Sequence, residues 1–493
     1  MKNNNAFFVL ISVFFFWGFV AASNDILIPV FKEKLNLEQW QSQMISFAFY
    51  VAYTVGSVIY FGLSKATGGD ILNRIGYKNG IALGLVVSAL GTLLFYPAAE
   101  MSSFTLMISG LFIVGLGFSL QQTAANPLVI TIGDPTKGSQ RLSLAGGINN
   151  FGTTIGPLVV SFAIFGSVAA PSTLDSLEAV KTPYLILGAA FIIVALFFKF
   201  SSLPNKIETE EHVIDGEHLT SLQKETEESI IDAVSTSTSR RSSAIHYPQL
   251  WMGMIAIFLY VGVEVSTASN LPEFMRIHLN TPTNEIATYV SLFWASLMIG
   301  RWTGAVGALN VKDSFKNLFR FVLPYAAFGI FLIANGIAQH DTSSLYYYAF
   351  VILILIGADY FSSGNPARQL LLFSSIGIIA LFIGMFADGM VSVYAFISVG
   401  LFCSTLWPCI FTLAIAGLGK NTNQGSGFLI MMIMGGGFIS LLQGIVADDS
   451  LLGIQYSYVV GVLCFAYLAF YGYKASSILK KQGISYDNKV IAH

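Results

Sequence analysis

An all-α, polytopic membrane protein is predicted by three observations. The 493 residues are 54% hydrophobic and 11% charged, with a mean hydropathy of +0.68, whereas soluble domains carry about 25% charge. Many apolar runs reach the ~20 residues that a helical bilayer crossing requires. Lysine and arginine also segregate between alternate loops, as the positive-inside rule demands of spanning helices. The formal net charge of −2 is too small and too unevenly placed to identify a partner, and no nucleic-acid partner is expected.

The first run, Ala6–Val30, reads AFFVLISVFFFWGFVAASNDILIPV. It is too long and too polar at its end for a removable signal peptide, and no small-residue cleavage site closes it. Asp25 sits near its end, and a carboxylate inside a span costs about 2.5–3.5 kcal/mol on insertion scales. Such a group either faces a water-filled pathway or snorkels to the headgroups. Ile26, Leu27 and Ile28 continue the run past it, which favours the pathway. The runs that follow in the first half are Gln43–Leu63, Gly80–Ala99, Phe104–Ile132, Leu142–Ala169 and Tyr184–Phe200. The second half holds Leu250–Asn270, Ile286–Ala308, Phe321–Ala338, Leu345–Ser362, Gln369–Ala387, Met390–Ala416, Ser426–Ala447 and Ile454–Tyr473. About fourteen helices are therefore expected.

With both termini cytoplasmic, only Lys32, Lys34, Lys181 and Arg276 of the 25 Lys and Arg residues fall outside. An even helix count agrees with that topology. Cys403, Cys409 and Cys464 all lie within runs and read as packing residues rather than a disulfide framework or a metal site. Between the halves, Ser201–His246 is rich in Glu, Ser and Thr and nearly free of aromatics, so it cannot bury enough surface to fold alone. A solvated linker is the favoured reading, although Leu219–Val234 has the pattern of a short amphipathic helix. The organisation that results is a first bundle at 1–200, a linker at 201–248, a second bundle at 249–477 and a tail at 478–493.

The two halves resemble each other. Run 1 ends Ala22-Ser23-Asn24 before Pro29-Val30-Phe31, and run 7 ends Ala268-Ser269-Asn270 before Pro272-Glu273-Phe274. Val114-Gly115-Leu116 with Pro127 is matched by Val399-Gly400-Leu401 with Pro408. Loops bounded by Gly133 and Gly138-Ser139, and by Gly419 and Gly425-Ser426, follow in the same order. That order argues for a duplicated bundle with a substrate held midway between its halves.

On these motifs the chain resembles the major facilitator superfamily, and within it the fucose–proton symporter and glucose/galactose transporter family. The carrying residues are WGFVAASNDILIP (Trp17–Pro29), FYPAAE (Phe95–Glu100), QQTAANP (Gln121–Pro127) and LAGGINNFG (Leu144–Gly152). In the second half they are YVGVEVS (Tyr260–Ser266), IGRWTG (Ile299–Gly304), LWPCIF (Leu406–Phe411) and GSGFLIMMIMGGG (Gly425–Gly437). The resemblance implies the major facilitator fold, two pseudo-symmetric six-helix bundles, with a hairpin at 321–362 added to the second. It also implies a multi-pass protein of the bacterial inner membrane that takes up a hexose by proton or sodium symport, monomeric and without a cofactor.

Two departures from the family pattern bear on the mechanism. Gln122 stands where the fucose symporter has a glutamate just before TAANP, so that position cannot exchange a proton. Glu264 instead lies on helix 7, the repeat partner of the helix that carries Asp25. The resemblance therefore assigns coupling to Asp25 and Glu264. A sugar site needs amides and carboxylates for hydroxyls and aromatic rings for C–H faces. Asn24, Gln121, Gln122, Asn126, Asn149, Asn150 and Glu264 supply the first, and Trp17, Trp294 and Trp407 the second. Trp17, Gln122, Asn149 and Trp407 match the fucose symporter's substrate-contacting positions. Each amide alone is equally well read as an interhelical hydrogen bond, and each tryptophan alone as core packing.

Arg74, in the loop Gly69–Asn79 where Asn73 replaces the superfamily's usual acid, and Arg301 are assigned to the gate. For Arg301 a structural ion pair or capping role competes with substrate contact. Asp359 and Asp388 are expected at membrane interfaces, Gly435-Gly436-Gly437 at a close helix contact, and the six histidines in loops. An exporter of the same superfamily is the alternative function, because Gly152–Pro157 resembles an exporter motif. An enzyme would need a nucleophile–base or metal constellation on the spans, which the sequence lacks.

Overall fold

The computed structural model describes residues 7–20, 39–132, 137–165, 178–201, 203, 205, 243–281, 283–308, 312–448 and 450–486. Asn24, Asp25 and the segment Leu219–Val234 lie outside the described residues. The described parts of every predicted run are helical apart from short breaks. The first half comprises α1 (Phe7–Val20), α2 (Gln39–Ala66), α3 (Ile71–Ile75), α4 (Tyr77–Leu93), α5 (Phe95–Glu100), α6 (Phe104–Thr131), α7 (Gly138–Phe165) and α8 (Glu178–Phe200). The second comprises α9 (Pro248–Leu279), α10 (Thr283–Gly304), α11 (Asp313–Ile337), α12 (Tyr348–Ser362), α13 (Pro366–Phe386), α14 (Gly389–Cys403) and α15 (Leu406–Ile415). It continues with α16 (Thr422–Met431), α17 (Gly435–Val446), α18 (Gly453–Tyr456) and α19 (Val459–Lys481).

Among the described residues, 10 helical stretches are long and apolar enough to cross a membrane, and Phe7–Val20 and Tyr184–Phe200 are shorter apolar helices. Two further long helices are α7 and α10. They carry Asn149, Asn150 and Arg301, and they pack against each other across the two halves. The outer surface is apolar: Phe200 is 80% exposed, and Phe350, Phe361 and Phe386 are each 70% exposed. Exposed apolar area on that scale marks contact with a membrane or a partner.

Helix ends follow local chemistry. Asp70 caps α3 by accepting from Leu72 N, and Ser103 caps α6 by accepting from Leu106 N. Pro366 opens α13 behind Asn365, whose side chain accepts from Ala367 N and Arg368 N. Arg141 is buried and donates Nε to Val129 O at 3.0 Å, closing orphan carbonyls at the end of α6.

Small residues set the helix spacing, as expected where lipid supplies no hydrophobic drive between helices. A Cβ on Gly84 of α4 would lie 2.7 Å from Gly117 O of α6, and one on Gly91 would lie 2.7 Å from Gly110 O. The halves repeat this logic. A Cβ on Gly18 would meet Asn149 O at 1.9 Å where α1 crosses α7, and one on Gly435 would meet Phe258 O at 2.0 Å where α17 crosses α9. In the first half α4 packs against α6 and α8, and in the second α13 packs against α14 and α19.

The helices α11 and α12, where an extra hairpin is expected, lie on the flank of α10, between α10 and α13 in sequence. Tyr348 shares a hydrogen bond with Ser296 at 2.8 Å, and the Tyr394 hydroxyl donates to Ser344 O at 2.5 Å. Asp388 is exposed beside the start of α14, as expected of an interfacial residue. Asp359, expected at the same kind of position, is buried within the protein at 6% exposed, and Arg320 Nε lies 3.3 Å away. Its burial is decided by the neighbouring helix α11, which position along α12 alone does not reveal.

The glycine run of α17 divides by position. Gly435→Ala forces a side chain onto Phe258 O and is expected to cost about 1–3 kcal/mol as overpacking. It should lower the midpoint of thermal unfolding in detergent. A Cβ on Gly437 would meet nothing within 4 Å, so Gly437→Ala should leave that midpoint unchanged or raise it.

Candidate functional site

A cavity of about 240 Å³ lies between the halves, against the ~30 Å³ share of one water molecule. The first half lines it with Phe14 and Trp17 of α1, Tyr50 and Tyr53 of α2, Gln122 and Asn126 of α6, and Leu142, Gly146 and Asn149 of α7. The second half lines it with Tyr260, Val261, Glu264 and Val265 of α9, Trp294 and Arg301 of α10, Trp407 and Pro408 of α15, and Ile433.

Hydrogen bonds fix what each side chain offers. Trp17 is 4% exposed, and its Nε1 donates to Gln121 Oε1 at 2.6 Å. Gln121 Nε2 in turn donates to Ser88 Oγ at 3.0 Å. Gln121 is fully buried away from the cavity and holds the indole, which leaves Trp17 only its ring to present. Gln122 lies on the cavity wall, and its Nε2 donates to the Tyr53 hydroxyl at 3.1 Å. Asn149 Nδ2 donates to Phe14 O at 2.9 Å. These bonds leave Gln122 Oε1 and Asn149 Oδ1 as acceptors.

Three buried polar atoms line the cavity, Asn126 Nδ2, the Tyr260 hydroxyl and Glu264 Oε2: the amide makes no hydrogen bond among the described residues, while Tyr260 and Glu264 interact with each other. A buried polar atom left unpaired costs about 1–3 kcal/mol. A cavity that ends on a donor, a hydroxyl and a carboxylate oxygen therefore suits a solute that both donates and accepts. Trp407 is half-buried, with its ring centroid 6.1 Å from that of Tyr260. Trp294 is 40% exposed but reaches the lining.

Arg301 joins the cavity to a closed seam. Its Nη1 donates to Asn150 Oδ1 at 2.7 Å and to Gly146 O at 3.4 Å, both on α7. Its Nε donates to Ser404 O at 3.1 Å, at the break between α14 and α15. Asn150 thus serves the arginine and is absent from the lining. Next to it, Trp302 Nε1 donates to Gly147 O at 3.1 Å.

The seam continues through α2, α6 and α16. Asn423 Nδ2 donates to Asn73 Oδ1 at 3.0 Å, and the Tyr77 hydroxyl donates to Asn423 Oδ1. Ser426 Oγ donates to Thr123 O at 3.0 Å, and the Phe61 and Phe428 rings lie 4.4 Å apart. Arg74 is exposed on α3 beside Asn73, outside the cavity. Among the described residues, no group of three or more His, Cys, Asp and Glu side chains could hold a metal ion.

Of the residues expected at the site, the structure brings together Trp17, Gln122, Asn126, Asn149, Glu264, Trp294, Arg301 and Trp407. Gln121 and Asn150 stand behind that wall as supports. Tyr53 and Tyr260 were not anticipated. Tyr260 had a readable signal, since it lies one turn before Glu264 and so shares its helical face. Tyr53 had none, because its role depends on the neighbouring helix.

The sequence model described as Major Facilitator Superfamily matches residues 6–377. A glucose/galactose transporter of Brucella abortus is 32% identical over 466 residues, covering 93% of this chain and 91% of the relative. The L-fucose-proton symporter of Escherichia coli (strain K12) is 28% identical over 476 residues, covering 93% and 90%. The crystal structure of the superfamily transporter FucP in the outward conformation superposes with a TM-score of 0.68 at 26% identity. It covers 95% of this chain and 98% of that one.

The paired glutamines separate support from lining. Gln121→Leu leaves Trp17 Nε1 unpaired in a dry core, while Ser88 Oγ keeps its bond to Val114 O, and should cost about 1–3 kcal/mol. It is expected to lower the thermal unfolding midpoint in the absence of any solute. Gln122→Leu should leave that midpoint close to its original value.

Proposed function

We propose, since the chain belongs to the major facilitator superfamily and within it to the group of glucose/galactose transporters and fucose–proton symporters, that it takes up a neutral hexose by cation symport. The observation that carries this reading is the cavity wall, where aromatic rings from both halves face amide and carboxylate acceptors. A sugar presents hydroxyls in the plane of its ring and C–H faces above and below, which this mixture suits. Glucose or galactose is favoured over fucose, because Gln122 cannot titrate and Glu264 stands on α9. The stretch Gly152–Pro157 carries no weight for an exporter: a Cβ on Gly152 would lie 2.4 Å from Phe15 O and one on Gly156 2.8 Å from Phe19 O, so close packing accounts for it.

Transport would proceed by alternating access. The seam through Arg301, Trp302, Asn73 and Asn423 closes the cavity on the side of the basic loops, which the positive-inside rule places in the cytoplasm. Opening that seam would release the sugar inward. A carboxylate inside a membrane cavity is the default site for a coupling ion. Asp25 is assigned proton coupling, with sodium as the other possible ion. Glu264 is assigned sugar contact or a second ion site.

The finer topology belongs to the same proposal: fourteen crossings, both termini cytoplasmic, a cytoplasmic linker at 201–248 and a monomer in the bacterial inner membrane. In that arrangement the turn between α11 and α12 faces outward. An impermeant thiol reagent applied from outside should label cysteines placed at His340 and Asp341, and labelling only from the cytoplasmic side would reverse the topology.

Proteoliposomes should accumulate D-glucose or D-galactose when an inward proton or sodium gradient is imposed. Accumulation of fucose alone, or outward movement of lipophilic cations, would refute the reading. Asp25→Asn is expected to abolish gradient-driven accumulation while sugar counterflow persists. Glu264→Gln should raise the apparent KM about tenfold, the loss of one hydrogen bond to a charged group, and leave coupling largely intact.

A further inference from the structure

The helices α11 and α12 carry an acid–base pair, its carboxylate buried and its guanidinium partly so, that the transport reading does not use. Arg320 Nε of α11 lies 3.3 Å from Asp359 Oδ2 of α12, and the guanidinium sits 5.9 Å over the Tyr360 ring. Replacing a buried ion pair with apolar side chains is often neutral or stabilising, so stability alone does not explain charges at this place in a membrane span.

The pair leads inward from the flank to the cavity. Gln369 Nε2 of α13 donates to Asp359 Oδ1 at 3.4 Å. Gln369 Oε1 accepts from Cys409 Sγ of α15 at 3.6 Å. Cys409 lies two residues beyond Trp407, on a half-helix that begins after the break at Ser404 and Thr405. The turn at Ser404 and Thr405 and the missing N–H of Pro408 weaken the backbone ladder between α14 and α15, so side chains help to fix the pose of α15. Arg301 holds the break from one side through Ser404 O, and Gln369 holds the half-helix from the other.

We propose that Asp359 is a positioning residue for the cavity. Through Gln369 and Cys409 it sets the pose of α15, and so of Trp407 against the sugar, which makes the added hairpin a determinant of affinity. The proposal rests on the reading of the cavity as a hexose site.

The protein supplies its own reporter. It has three cysteines, so Cys403→Ala with Cys464→Ala leaves Cys409 alone, and its alkylation by N-ethylmaleimide can be timed in proteoliposomes. In that background, the double variant Arg320→Met, Asp359→Leu and the single variant Gln369→Leu are compared with the parent. Both should raise the rate of Cys409 alkylation and the KM for D-glucose or D-galactose about tenfold, with Vmax changed less than about twofold and thermal stability kept. Unchanged alkylation, or faster alkylation with an unchanged KM, would overturn the proposal. If the double variant does not fold, Gln369→Leu, which keeps the ion pair, decides alone. Absence of hexose uptake by the parent would instead sink the hexose reading, and the alkylation rates would still test whether Asp359 holds α15.

Discussion

Hydrocarbon offers no hydrogen-bond partners, so every polar side chain on a spanning helix must be satisfied inside the protein. That constraint organises the molecule. The long helices that carry Asn149, Asn150 and Arg301, α7 and α10, are packed against each other across the two halves. Asn150 answers Arg301, and the Gly147 carbonyl answers the Trp302 indole. The seam is therefore where polarity is stored, and the cavity is the part of the seam where pairing is left incomplete. Closure and recognition draw on one set of groups, which is why Arg301 lines the cavity and closes the seam as well.

A seam that must open in every transport cycle cannot be held too tightly. Asn73, at a position where the superfamily's loop usually carries an acid, meets the amide of Asn423. A neutral amide pair gives up less on entering water than an ion pair gains or loses on leaving it. Glycines bring backbone onto backbone inside each half, α4 onto α6 and α17 onto α9, whereas across the seam Gly147 meets the side chain of Trp302. The bundles are thus built as rigid bodies and the seam between them as a set of separable contacts. Such an arrangement permits a rocking motion about a central site.

Gln121 and Gln122 show how much a single helical step decides. Adjacent residues on α6 differ in direction by about 100° of rotation. One turns into the bundle to hold Trp17, and the other turns to the cavity beside Tyr53. Both are amides in the same motif, so residue type and spacing could not rank them. The same holds for Asn149 and Asn150 on α7, one facing the cavity and the other the Arg301 guanidinium.

The sequence by itself determined the class of protein, the helical runs and the residue types that gather at the centre. Hydropathy, charge bias and the internal repeat are local quantities, and a membrane enforces them segment by segment. Trp17, Asn149, Glu264 and Trp407 were legible at the cavity from their motifs. Tertiary structure alone decided which face of each helix meets the seam. It joined Trp17 to Gln121 across 104 residues, placed Tyr53 and Tyr260 in the lining, and buried Asp359 against Arg320. Those outcomes depend on the rotation and spacing of neighbouring helices. These are set by packing between segments far apart in the chain, and no local pattern records them.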